Sequence, residues 1–205
     1  MEAGTPKRVG SSKIGRGFLL LTDRHMTRMN NFPPQSTSMH LYTYLGILAM
    51  GSIETTDMAQ FDKLMSADHL THLCVPHLIK TKGSIVSVSS VNGQRSFPGV
   101  LAYCMSKSAI DQFTRCVTLE LASKQVRVNA VCPGVIITEV HKRAGLDEDQ
   151  YAQFLEKCKV THALGRPGEV EEVAHAIAFL ASDAATFITG VNLPVDGGRH
   201  AMCPW

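Results

Sequence analysis

From about residue 40 onward, short β-type runs alternate with stretches of helical spacing, and that alternation confines the chain to a layered α/β fold. Residues 41–50 read as a strand and its exit, and residues 56–64 as a short helix capped by Thr55 or Thr56 with Asp57 near its positive end. Leu70, Leu73, Cys74 and Leu78 then recur at helical spacing, with Pro76 expected to bend that helix. Ile85, Val86 and Val88 form a brief strand that ends at Ser89 and Ser90. Residues 103–122 make the most regular helix, with Met105, Ala109, Ile110, Phe113, Val117 and Leu121 on one apolar face available for core packing or subunit contact. Val126, Val128 and Val131 give the next strand, broken by Pro133 and Gly134. Residues 147–159 and 167–180 read as helices, the second with Pro167 in its first turn and Glu169, Glu171 and Glu172 complementing its dipole. Val191, Leu193 and Val195 make a last strand, stopped by Asp196, Gly197 and Gly198.

A length of 205 residues favours one compact domain, and 44% apolar against 19% charged residues is an ordinary globular balance. Twenty Lys and Arg against 18 Asp and Glu leave a formal charge of +2, without the basic face a nucleic-acid partner requires. No window approaches the ~18 consecutive apolar residues of a membrane span. The six cysteines never form CxxC and are expected as reduced thiols in the cytoplasm. His69, His72, Cys74 and His77 lack a second ligand cluster, so no metal site is expected there.

Residues 1–45 carry six basic residues against Glu2 and Asp23, a local charge of +4, and show no sustained period of 2 or 3.6. The longest apolar run there, Phe18 to Leu21, is too short for a secretory signal. An Arg-containing, acid-poor leader also fits a mitochondrial presequence, but a solvated tail accounts for it without targeting. Residues 1–39 are therefore expected to form an irregular basic segment, and residues 40–205 the folded domain.

Tyr103 and Lys107 lie four apart at the start of the strongest helix, so their side chains share one face. A free phenol titrates near pH 10. A neighbouring ammonium favours the phenolate and brings the group within reach of proton transfer at neutral pH. Ser90 ends a strand thirteen residues before Tyr103, and the next strand ends in Asn129-Ala130-Val131-Cys132-Pro133-Gly134. Ligands of open α/β sheets bind beyond such carboxyl ends.

On Ser90, Tyr103-Cys104-Met105-Ser106-Lys107, the Asn-Ala-Val-Cys-Pro-Gly run with Thr138, and Val195-Asp196-Gly197-Gly198, the chain resembles the short-chain dehydrogenase/reductase (SDR) family over about residues 46–205. The resemblance implies a doubly wound parallel sheet of Rossmann type, incomplete on its N-terminal side, and NAD or NADP as cofactor. It implies that Tyr103 exchanges a proton with the substrate oxygen and, with Lys107, binds the cofactor, that Lys107 lowers the phenol's pKa and holds the nicotinamide ribose, and that Ser90 hydrogen-bonds the substrate oxygen. Pro133, Gly134, Ile136 and Thr138 match the segment lying against the nicotinamide, and Gly46 is what remains of a motif beside the adenine side. The reaction implied is reversible hydride transfer between a secondary alcohol and a ketone or other carbonyl compound, in a homodimer or homotetramer built partly on the Tyr103 helix. Ser89 is read as a strand-end residue without a role. Val140, Ala144, Tyr151 and Phe154 suggest an apolar lid over the substrate.

The chain also departs from the family. Its nearest echo of the glycine-rich pyrophosphate turn, Arg8-Val9-Gly10-Ser11-Ser12-Lys13-Ile14-Gly15-Arg16-Gly17, places Val9 and Lys13 where glycines would let phosphate approach the backbone. Between Gly46 and Val91 there is no asparagine to complete the family tetrad. Low turnover is expected of this chain alone, with a catalytically silent relative acting through subunit association as the alternative.

Overall fold

The computed structural model describes Leu19–Leu21, Met26–Thr27, His40–Tyr44, Ser52 and residues 68–202, with side chains of the continuous part from residue 71. Its strands are β1 (Leu19–Leu21), β2 (Met26–Thr27), β3 (His40–Tyr44), β4 (Ser84–Val88), β5 (Arg127–Pro133) and β6 (Asn192–Val195). The helices are α1 (Asp68–Thr81), α2 (Leu101–Leu121), α3 (Val140–Arg143), α4 (Glu148–Glu156), α5 (Cys158–Thr161) and α6 (Val170–Ala181). They build one sheet in the order β2-β1-β3-β4-β5-β6. All neighbours are parallel except the β1–β2 pair.

Side-chain alternation along β4 and β5 feeds two cores, one on each face of the sheet. Ile85 and Val128 pack with Leu78 of α1 and Leu121 of α2. Val86, Val88 and Val131 pack with Val173, Leu180 and Ala181 of α6. The doubly wound arrangement follows directly, because a strand with apolar residues on both faces needs a helix layer on each.

Arg127, the first residue of β5, closes the end of the sheet at which the strands begin. Its guanidinium donates to the carbonyls of Leu180 (2.5 Å), Ala181 (3.2 Å), Ser182 (3.1 Å) and Ile188 (3.4 Å). It thus serves the orphan carbonyls at the C-terminus of α6, where a cation also meets the negative end of the helix dipole.

Several sequence expectations are corrected. The buried face of α2 is Ala102, Ser106, Lys107, Ile110, Asp111, Thr114, Thr118 and Leu121, whereas Met105 is 47% exposed and only Ile110 and Leu121 of the expected stripe are buried. A polar stripe can go inward because its hydroxyls find partners locally: Thr114 Oγ1 donates to Ile110 O, and Thr118 Oγ1 to Thr114 O and Val128 O. Hydrophobic periodicity cannot register such residues. Pro167 lies before α6, not in its first turn, because Glu169 caps the helix in a capping box with Glu172 and Gly168 pairs with Ile136. The helix expected over 147–159 is divided into α4, capped by Asp147, and α5. α1 continues through Pro76; the carbonyl four residues earlier that proline cannot serve belongs to exposed His72, where water can reach it. Within residues 1–39, Leu19–Leu21 and Met26–Thr27 form strands of the sheet, drawn from the short apolar run at 18–21 and its sequel. The helix expected at 56–64, the segment 8–17 and Gly46 lie outside the described residues.

Candidate active site

Parallel pairing brings the carboxyl ends of β4 and β5 to the same edge of the sheet, with Val88 opposite Val131 and the Ser89 N–H donating to Val131 O at 2.9 Å. Ser90 follows in extended conformation and caps a 3-10 turn at Val91–Gly93. Its Oγ accepts from Asn92 N at 3.2 Å and donates to Asn92 Oδ1 at 3.4 Å, so the hydroxyl is held at the sheet edge. The chain crosses to α2, which presents half-buried Tyr103 in its first turn.

Lys107 reaches back from the next turn. Its side chain is 2% exposed, Nζ donates to Val88 O at 3.0 Å, and the ammonium lies 5.4 Å from the centroid of the Tyr103 ring. Burial drives its pKa down from 10.5 to about 8, opposed by the charge of Asp111 and by Cys132. Ser90, Tyr103 and Lys107, singled out from the sequence, are therefore gathered around the carboxyl end of β4.

Behind them lies a polar cluster that the sequence reading passed over. Ser89 Oγ donates to Lys107 O at 3.1 Å and fastens the strand exit to the helix, so Ser89 has a structural task after all. Asp111, 3% exposed, receives the Cys132 thiol on Oδ1 at 3.7 Å. Burial raises the Asp111 pKa, against the lowering effects of the Ser89 and Cys132 hydrogen bonds, Arg115 and Lys107. Burial, assisted by the Asp111 charge, pushes the Cys132 thiol up to about 12 and keeps it protonated. The available signal was spacing: Asp111 stands four residues after Lys107, and Cys132 immediately before Pro133.

Beyond β5, Gly134 N donates to Val195 O at 3.1 Å, and a Cβ at Gly134 would stand 2.9 Å from Asp196 Cα and 3.1 Å from His162 Nε2. His162 was also missed. It is 2% exposed, burial lowers its pKa, and its neutral Nε2 accepts the Val135 N–H at 3.3 Å. Ile136 bridges to Gly168, and Thr138 O accepts the Tyr151 hydroxyl at 3.1 Å. The expected lid is thereby tied to the segment 133–138. His141 is packed beside the rings of Tyr151 and Phe154, with Nδ1 buried and without a hydrogen-bond partner. The Asp196 carboxylate accepts from Gly198 N, His200 N and His200 Nδ1 across a turn in which Gly197 and Gly198 have φ of 58° and 80°, the region that favours glycine.

A cavity of about 290 Å³ lies on the β6 side of this segment, lined by Ile136, Arg166, Glu172, Asp196 and His200 among others. Its polar groups are already engaged, Arg166 with Glu172 and His200 with Asp196, and neither Tyr103 nor Lys107 lines it.

A family model described as Enoyl-(Acyl carrier protein) reductase matches residues 40–200. The chain belongs to the short-chain dehydrogenase/reductase family. This SDR is 38% identical over 161 residues to meso-2,3-butanediol dehydrogenase of Serratia marcescens, a match covering 76% of this chain and 62% of that protein. The chain thus matches less than two thirds of that relative's length. Aldohexose dehydrogenase of Thermoplasma acidophilum superposes with a TM-score of 0.75 at 32% identity, over 82% of this SDR and 70% of that chain. Gluconate 5-dehydrogenase of Burkholderia cenocepacia, solved with NADP and tartrate, gives 0.73 at 25% identity, over 81% and 66%. The Rossmann-like fold is common to them.

Proposed function

We propose that this site serves NAD(P)-dependent interconversion of a secondary alcohol and a ketone or other carbonyl compound. The observation that carries the reading is the Lys107 ammonium, buried to 2% exposure, anchored on Val88 O and 5.4 Å from the Tyr103 ring. A cation so placed favours the phenolate, which equips Tyr103 to give a proton to the substrate oxygen or take one from it. Ser90 turns its hydroxyl from Asn92 Oδ1 to the same oxygen and orients it.

The residues present fit the nicotinamide end of a dinucleotide. Val88 O takes one of the three Nζ protons, leaving two for ribose hydroxyls, and Pro133, Gly134, Ile136 and Thr138 continue from the neighbouring strand end. The dinucleotide, when bound, supplies or accepts the hydride. The substrate is a small carbonyl or alcohol compound, admitted beneath the lid of α3 and α4. Free Cys74, Cys104, Cys116, Cys132 and Cys158 support a reducing compartment, the cytoplasm.

A second reading is a catalytically silent SDR relative that works through subunit association. It is favoured by Val9 and Lys13 at the positions of phosphate-cradling glycines and by the outward apolar residues of α2, Met105 and Leu119, 47% and 81% exposed. Isothermal titration of the full chain with NADH and NADPH separates the two. Saturable binding of either dinucleotide supports the oxidoreductase; binding of neither overturns it and leaves the silent relative.

A further inference from the structure

We propose that Arg199 receives a carboxylate of the substrate, so that the compound meeting Tyr103 is an oxoacid or the corresponding hydroxyacid. Arg199 opens the 3-10 turn Arg199–Ala201 that follows β6, and its half-buried guanidinium lies 4.7 Å from the centroid of the Phe97 ring. Phe97 belongs to the crossing from Ser90 to Tyr103. The same crossing grips the backbone of the turn: Arg95 donates through Nη1 to His200 O at 2.7 Å and through Nη2 to Met202 O at 2.8 Å. On its other side the chain entering the turn is seated on the segment after α5. There Leu164 N donates to Gly197 O at 3.0 Å, and a Cβ on Gly198 would stand 2.8 Å from Ala163 Cβ. Arg199 thus stands between the loop that joins the serine to the tyrosine and the chain that leaves the lid.

The guanidinium is held in place but not neutralised. Among the described residues no carboxylate stands within ion-pair distance of it and no oxygen accepts its N–H groups. Asp196, the acid closest to it in sequence, is engaged by Gly198 N, His200 N and His200 Nδ1. His141 of α3 and His162 after α5 feel the Arg199 charge, which joins burial in keeping both imidazoles neutral. Arg95, at the same junction, is committed to its two carbonyls. Arg199 therefore offers a single positive charge and a planar fork of donors, which suits the one charge and paired oxygens of a carboxylate better than a phosphate dianion. Fixed by the backbone on both sides, the turn carrying it loses little freedom on binding. The assignment rests on the reading of Tyr103 as the proton carrier, since it takes the substrate to lie between that phenol and Arg199.

The test is NMR of the full chain at its arginine Nε–H signals, with that of Arg199 assigned by its loss in Arg199→Met. The chain is titrated, with and without NADH, with the short oxoacid levulinate and separately with levulinate methyl ester and with inorganic phosphate. The Arg199 signal should move saturably with levulinate and stay in place with the ester and with phosphate. No response to levulinate, or an equal response to the ester or to phosphate, overturns the proposal. In any turnover of these ketones with NADH or NADPH, Arg199→Met should raise KM for levulinate by about tenfold to a hundredfold and leave kcat/KM for the ester within about twofold, the loss expected of a charged hydrogen-bond partner. An unchanged KM for levulinate overturns the proposal, as does an equal loss with the ester, which would assign the effect to packing. Should Arg199→Met not fold, Arg199→Lys assigns the signal and the titration of the parent decides. Failure to bind NADH or NADPH removes the oxidoreductase reading and leaves a response of Arg199 to levulinate standing; dinucleotide binding with a silent Arg199 signal removes this proposal alone.

Discussion

Replacing Lys107 by methionine keeps most of the buried stem and removes the charge, and the pH dependence of stability should change accordingly. The folded chain gives up this proton near pH 8 and the unfolded chain near 10.5. Between those values the unfolded state binds more protons, so stability rises with pH; below about pH 8 the whole cost of burying the ammonium is present, and above about 10.5 none of it. At roughly 1.4 kcal/mol per pKa unit the difference amounts to about 3 kcal/mol. The lost bond to Val88 O costs on the order of 1 kcal/mol at either pH and cancels when the two conditions are compared. Urea unfolding followed by far-UV circular dichroism at about pH 7 and about pH 10.5 measures the quantity in both chains. The parent should gain about 3 kcal/mol more than Lys107→Met across that interval. Parallel behaviour of the two chains would show that Lys107 is hydrated in solution and would refute the burial on which the site is built.

Two further outcomes are expected. Tyr103→Phe retains the ring and removes the transferable proton, so any carbonyl-dependent oxidation of NADH or NADPH should fall by a factor of roughly 10²–10⁴ in a chain that keeps its far-UV circular dichroism; full retention of turnover excludes the phenol as proton carrier. Gly93→Ala forces a methyl against Asp111 Oδ2 and Lys107 O and should destabilise the chain by about 1–3 kcal/mol in urea, whereas parent-like stability would mean that the 3-10 turn does not close on the carboxylate.

How much of this was legible in the sequence depends on what kind of signal each residue leaves. β4 and β5 announce themselves as valine- and isoleucine-bearing runs bounded by Ser, Pro and Gly, β6 shows only the alternation of Val191, Leu193 and Val195, and Tyr103 with Lys107 carries its own spacing on a helix. The inward face of α2 left no such trace, because Thr114 and Thr118 are buried through hydrogen bonds to carbonyls, an accommodation that hydropathy scores as exposure. Asp111 and Cys132 stay hidden for a related reason. Each is an ordinary residue until β5 is laid beside α2, and contact across 21 positions of sequence is decided by the sheet, not by local pattern. His162 belongs with them: it becomes a fixed acceptor for Val135 only once the loop after α5 folds onto the exit of β5.

Arg127 and Lys107 sit at opposite ends of the same strand pair, and their chemistry divides the labour of the sheet. A guanidinium keeps its proton at any acidity a cell reaches, so the four-carbonyl clasp at the start of β5 is a permanent rivet, indifferent to its surroundings. An ammonium poised near pH 8 is adjustable, answering to whatever charge is placed beside it. The molecule therefore has a fixed end and a responsive end, and variation in its chemistry has room at the second without loosening the first.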